Sequence, residues 1–371
     1  MSVKYIISSG YNENGELGRE CDSGKPYGKV PGTVEGLEME SISIISTGNS
    51  FSVALLNDGS ILGWGDNKNG SLGFPKNIKK VKLPTKIPGL PKIIDVKCGN
   101  NFILFLTEDW KVLISSSENK NSLFDEIDIG EPAVAVFGYL NPWICGKSGS
   151  IIWYDHIETK TIQKYGPYPF GIPKQLVSIG EIVVLVTSSG EALIMSLKKL
   201  RPWTFHNNST AFAGNDENFV PIESLQGVKI KKIAGHVTQM LVLSEDQRVF
   251  VFGNNGFGKL GLDPVEYTDT SNEFIELAFS RDLKIVDIGA GMSFSIFIDA
   301  LGHVLAFGEV SGGEGMLGDD DEGSMSSIVE GAIGVHCGDC FTLVEIGDIQ
   351  SAKKEEASSL MKTIFGYCSI S

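Results

Sequence analysis

Two thiols lie three residues apart in His336-Cys337-Gly-Asp-Cys340, and paired thiolates beside an imidazole are zinc-binding chemistry. A structural zinc takes four ligands, however, and no second cysteine pair lies within reach in sequence. Cys337 instead precedes a glycine as Cys98 does, which suits a small side chain packed within a sheet. The run Asp319 to Glu322 gathers carboxylates without the alternating ligands and central glycine of a calcium loop. The expectation is no metal and no cofactor. No Ser/His/Asp set or nucleotide fingerprint stands out either, so the chain carries no catalytic constellation of its own. The last cysteine is different, because Cys368-Ser-Ile-Ser371 fits a Cys-a-a-X box with serine at X, the choice that favours a farnesyl group. One prenyl chain anchors only reversibly, and Lys353, Lys354 and Lys362 offer a thin basic second signal.

The 371 residues include 44 Gly, while 42% are hydrophobic and 21% charged, a balance that excludes collagen and wholesale disorder. Lys and Arg number 31 against 46 Asp and Glu, a net charge of −15, so binding along a phosphate backbone is not expected and nucleic acid is excluded as a partner. Six cysteines in so long a chain, with no charged-then-apolar leader, fit a reduced compartment. The expected location is cytoplasmic, with peripheral membrane contact through a lipid at Cys368. No apolar run approaches the roughly 18 residues of a membrane span.

The remaining signal is repetition. Gly48-Asn-Ser-Phe51 through Asp58-Gly59 to Trp64-Gly65 recurs as Gly291-Met-Ser-Phe294 through Phe307-Gly308, in part at Gly99-Asn-Asn-Phe102, and again from Gly235-His-Val-Thr238 to Phe252-Gly253. A second signature, Gly-x4-Gly-x-Leu-Gly, occurs at Gly10 to Gly18, Gly65 to Gly73 and Gly253 to Gly261, and in a longer form at Gly308 to Gly318. Marker glycines at 48, 99, 138, 180, 235, 291 and 338 repeat every 40 to 55 residues or so. Each unit reads as short strands, such as Phe51 to Leu56 and Ile61 to Trp64 joined by the Asp58-Gly59 turn.

Units of this length and content are propeller blades, which bury their faces only by stacking around an axis. The chain begins in mid-unit at Tyr5 to Gly18 and its last unit, Ile328 to Ile346, supplies the missing half. The predicted fold is therefore all-β: a seven-bladed propeller over 1–347 whose last blade joins both ends, followed by a helix-prone arm over 348–371 bearing the prenylation box.

These motifs resemble the regulator of chromosome condensation family of seven-bladed propellers. The likeness is weakest between 112 and 220, after a turn in which Asp109-Trp110 stands for Asp-Gly and around Asn121-Ser-Leu-Phe124, which stands for Gly-Ser-Leu-Gly. The resemblance implies a monomeric protein-interaction module for a small GTPase of the Ran, Rab or Ras type, or for another protein as a scaffold near membranes. An alternative it implies is a guanine-nucleotide exchange factor that stabilises the nucleotide-free GTPase. In such relatives acidic and His side chains just after the marker glycine face the GTPase, and those positions here hold Asn49, Asn100, Asn101, Glu181, His236 and Asp339. His236 is expected in a solvated loop. The family's wedge corresponds to the lengthened turn with Glu309, Ser311 and Glu314. Trp64, Trp110, Trp143, Trp153 and Trp203 lack the Gly-Trp-Arg pattern of light-sensing relatives, so ultraviolet sensing is not expected. An insertion near 201–221 reads as a disordered linker or a contact surface, and Trp203, Phe205 and Phe212 favour the contact surface.

Overall fold

A computed structural model describes residues 3–21, 27–37, 41–118, 122–197, 218–262, 270–308 and 329–347. These form seven separate antiparallel sheets. Blades 1 to 5 cover 42–86, 93–127, 133–165, 175–221 and 230–276, each with four strands in chain order, and blade 6 shows three strands over 285–308. Blade 7 has the order Tyr27–Thr33, Val3–Tyr11, Phe341–Gly347, Ala332–Cys337, so two strands come from each end of the chain. The seam runs as an antiparallel ladder from Val3 opposite Gly347 to Gly10 opposite Phe341. This is the seven-bladed closed ring read from the sequence. The prenylation box at Cys368, the arm over 348–371, the lengthened turn with Glu309, Ser311 and Glu314, and most of the aromatic insertion lie outside the described residues. No helix among the described residues is long and apolar enough to cross a membrane.

Seven apolar clusters of the described residues correspond to seven interfaces between neighbouring blades. Phe51, Val53 and Leu55 of blade 1 meet Ile93, Ile103 and Phe105 of blade 2 in one of them, and Ile6 and Leu343 of blade 7 meet Ala54 and Trp64 of blade 1 in another. The second strand of each blade is covered on both faces, which is why Phe102–Thr107 and Gln239–Ser244 are buried at every position instead of alternating. The outer turns tolerate loss of their glycine. Trp110 takes the left-handed conformation at φ 65° that Gly59 takes at 85°, and its N–H still closes the turn onto the Thr107 carbonyl.

The first strand of each blade touches that of the next all the way round the ring. It is an edge strand, and an edge strand leaves backbone donors without a ladder partner. Alternate interfaces satisfy one of them identically. The side chain just before a buried apolar residue accepts the N–H of the matching apolar residue one blade on. Asp95 takes Val136 N–H at 3.5 Å, Gln175 takes Ile233 N–H at 2.7 Å and Asp287 takes Val335 N–H at 2.8 Å. Lys232 adds a 2.6 Å ion pair to Asp287 between blades 5 and 6.

At the end of that first strand the chain turns back through the marker glycine. The N–H groups of Gly48, Gly99, Gly291 and Gly338 each donate to the carbonyl of the phenylalanine three residues on, and each ring folds over the glycine. A Cβ at Gly99 would lie 2.2 Å from the Phe102 ring and one at Gly338 2.0 Å from that of Phe341. The glycine is therefore a steric requirement of the ring. Gly99→Ala is expected to cost about 1–3 kcal/mol, the usual range for overpacking a tight site, read as a lower urea midpoint. An unchanged midpoint would show that the Phe102 ring yields freely.

Candidate functional site

The hairpins after the first strands and the Gly-x-Leu-Gly turns meet on one mouth of the ring. Asp66 N–H bonds Ser50 O, Asn254 N–H bonds Thr238 O, and Lys259 Nζ reaches Thr238 Oγ1 at 2.7 Å and Met292 O at 3.2 Å. Successive hairpins are stitched around this mouth: Met292 N–H donates to Asp339 O, Asp339 N–H to Asn49 O, and Asn100 N–H to Tyr139 O. Asn49 Nδ2 continues the chain to Asn100 Oδ1 at 2.7 Å. Four positions singled out from the sequence, Asn49, Asn100, His236 and Asp339, thus belong to one network once Tyr139 is added.

Asp339 is its centre. It accepts the Tyr139 hydroxyl from blade 3 and lies 2.7 Å from His236 Nε2 of blade 5, although both partners are more than a hundred residues away in sequence. The Tyr139 and His236 rings pack at 4.4 Å. Burial first, and then the Asp339 carboxylate, hold the Tyr139 phenol well above its usual range, so it remains a hydrogen-bond donor. A carboxylate only accepts, so His236 presents Nε2–H to it. Its Nδ1 is buried with no partner among the described residues.

His236 is thus not the solvated loop residue expected, since only 1% of it is exposed. The frame that equated Gly235 with Gly48 is also off by one. His236 pairs with Gln239, and Gln239 pairs with Gly253 as Phe51 pairs with Gly65, so His236 itself fills the marker-glycine position. A side chain fits there because the phenylalanine that would collide with it is replaced by Gln239. The Gln239 amide donates to Gly291 O at 3.0 Å and Phe294 O at 2.6 Å, fastening blade 5 to the blade 6 hairpin. The clue lay in the spacing, because Gly235 to Gly253 is one residue longer than Gly48 to Gly65 or Gly291 to Gly308.

Other positions stand apart from the network. Asn101 is committed to its own corner, 3.1 Å from His156 Nε2 and within 3.5 Å of Ser117 Oγ. Glu181 sits half-buried in the blade 4 hairpin, where its carbonyl takes the Leu197 N–H. Cys98 is buried while Cys337 is partly exposed, and burial pushes the Cys337 thiol up to about 12 and that of Cys340 to about 11. Both are therefore poor thiolate donors near neutral pH. Tyr139, Gln239 and Glu16 were not found by sequence reasoning, and Met292, which follows marker Gly291, was passed over because the family pattern places an acid there. Glu16 had a signal as the variable residue of a Gly-x-Leu-Gly motif.

Comparison with known proteins agrees with this architecture. The regulator of chromosome condensation (RCC1) repeat matches residues 58–106 and, in a second form, 42–71. The human probable E3 ubiquitin-protein ligase HERC6 is 24% identical over 317 residues, covering 82% of this chain and 26% of that protein. The mouse regulator of chromosome condensation is 33% identical over 106 residues, covering 28% of this chain and 24% of its own. The chain thus spans about a quarter of the length of each of these two curated relatives. The crystal structure of Prp20p from Saccharomyces cerevisiae superimposes with a TM-score of 0.76 at 16% identity, covering 98% of this chain and 97% of that one. The chain is a seven-bladed β-propeller that carries RCC1 repeats.

Two expectations follow from the mouth. Gln239→Phe alone should destabilise by about 1–3 kcal/mol through collision with His236, and adding His236→Gly should recover part of that loss. A double-mutant cycle by urea unfolding checks this, and strictly additive losses would refute the exchange of one pair for the other. The second concerns His156, whose imidazole burial pulls down to about 4 from an ordinary 6.5. Its folded value is depressed, so the unfolded chain takes up the proton first. The stability it contributes is intact above pH 6.5 and is lost as pH falls toward 4, on the order of 3 kcal/mol in all. His156→Gln should flatten the pH dependence of the urea midpoint in that window, and identical slopes would rule the effect out.

Proposed function

We propose that this propeller is a protein-interaction module that binds a small GTPase through the mouth carrying Asn49, Asn100, Asp339 and Met292. The observation that carries the reading is the gathering of polar hairpin residues from blades 1, 2, 3, 5 and 7 into one bonded network on one face, with the exposed Met292 of blade 6 tied to it through its backbone N–H. Such preorganisation lowers the ordering cost of binding. The reading is also supported by kinship: the Prp20p structure is described together with its binding to Gsp1p and histones. A chain with a net charge of −15 suits a protein partner better than a nucleic acid. Exchange activity would require tighter binding to the nucleotide-free GTPase than to the loaded one, with no acid or base chemistry. The loop that would act as wedge, with Glu309, Ser311 and Glu314, lies outside the described residues.

Biolayer interferometry against Ran, Rab and Ras-type GTPases, loaded and nucleotide-free, tests the proposal. Binding to at least one member is expected, weakened tenfold or more by Asn49→Ala with Asn100→Ala, a loss of about 1.4 kcal/mol. Asp339→Asn keeps an acceptor for Tyr139 and His236, so it separates the charge from the fold. Faster release of labelled nucleotide would identify an exchange factor, and absence of binding across the panel would overturn the GTPase reading.

A further inference from the structure

The variable residue of Gly-x-Leu-Gly is buried in all three described copies: Ser71 in blade 1, Lys259 in blade 5 and Glu16 in the turn completing blade 7. A buried serine at such a position is unremarkable, whereas a buried charge needs a countercharge or several hydrogen bonds. Lys259 has Thr238 Oγ1 and the Met292 carbonyl. Glu16 is 1% exposed, and its carboxylate receives the N–H and side-chain amide of Asn14, both at 2.8 Å, and its own backbone N–H, all of them neutral donors. It has no ion pair among the described residues. Burial above all, with a small addition from the Asp66 carboxylate, raises its pKa above the ordinary carboxylate value, while the bonds from Asn14 and its own backbone oppose that rise.

Glu16 also lines a cavity of about 210 Å³ at the mouth, between the N-terminal turn and the hairpins of blades 1, 6 and 7. Asp339 stands on the wall, and Met292, Phe341 and Asn49 complete the part relevant here. The cavity is several times the roughly 30 Å³ share of one water molecule, too roomy for a bare ion held by one carboxylate already engaged with Asn14. Its mixture of carboxylates, thioether and aromatic ring matches a long cationic side chain, whose stem packs on apolar groups while its head meets charge.

We propose that this cavity is the seat of an arginine or lysine side chain presented by a protein partner, with Glu16 as its buried countercharge and Met292 and Phe341 gripping the stem. The idea deepens the reading of this mouth as a protein-binding face and rests on it. A partner seated here would bring the missing cation, and the interaction would be strengthened by exclusion of water around the pair.

The probe is N-acetyl-arginine amide added to the full-length protein, followed by the Met292 methyl and the Trp64 indole N–H resonances. Trp64 is a suitable reporter because its indole donates to the Glu16 carbonyl at 3.1 Å. Saturable shifts at millimolar probe are expected, weakened at least tenfold by Glu16→Gln. Met292→Ala, which alters an exposed side chain, should weaken binding severalfold with Trp64 still reporting. Equal shifts from N-acetyl-norleucine amide, shifts from calcium or magnesium with none from the arginine probe, or no shift at all would overturn the proposal. Because the probe needs no GTPase, a failed panel with a working probe would leave the pocket standing, and the reverse would leave the GTPase reading standing.

Discussion

An aromatic ring lying where a side-chain carbon would otherwise sit is the constraint on which this structure depends. At Gly48, Gly99, Gly291 and Gly338 the ring of the residue three positions on occupies the space of a Cβ, while the glycine N–H is bonded to that residue's carbonyl. The contact turns the innermost strand back in a tight hairpin and aims the next residue at the mouth of the ring. Where blade 5 abandons the pair it changes both members, and the His236 side chain is free to reach Asp339 because Gln239 has withdrawn the ring.

Around that constraint the blades hold one another by two means of different reach. Apolar burial between faces is large and unspecific, on the order of 25 cal/mol per Å², and it draws any two blades together. The side-chain bonds from Asp95, Gln175 and Asp287 to the next blade's backbone are small but fix the relative height of adjacent inner strands. The shared seventh blade pairs two strands that would otherwise each present a free edge, since the ladder between Val3–Tyr11 and Phe341–Gly347 can form only when the circle is complete. The Tyr139, His236 and Asp339 cluster then links blades 3, 5 and 7, so that the mouth is a property of the closed ring and of no single repeat.

This has a bearing on how such propellers acquire distinct surfaces. Most of each repeat is committed to stacking, and the few positions that vary without disturbing it are the residues after the marker glycine and the variable member of Gly-x-Leu-Gly. Here those positions hold Asn49, Met292 and Asp339 in the hairpins and Glu16, Ser71 and Lys259 in the turns. Their charges differ from blade to blade while the backbone beneath them does not, and that asymmetry is what a partner can read.

Blade number, the seam between the two ends and the mouth-facing hairpins were legible in the sequence, because glycine-dependent turns and fully apolar strands are local demands that recur at a fixed period. The Asp109-Trp110 turn was legible as an altered member of the series, and its geometry followed the others. What the sequence left open lies where local demand is satisfied in more than one way. The one-residue shift at His236 hid behind an adjacent Gly235, and only the pairing of Gln239 with Gly253 distinguishes the two registers. Asp339 and Glu16 were legible only as variable positions of their motifs, and Tyr139 carries no local signature at all. Their meeting is set by ring closure, which brings residues far apart along the chain within hydrogen-bond reach, and by burial, which turns an ordinary carboxylate into one that needs a partner. Sequence alone determined the repeating unit and its count; tertiary structure decided which side chains share one low-dielectric mouth, because that depends on where the circle closes.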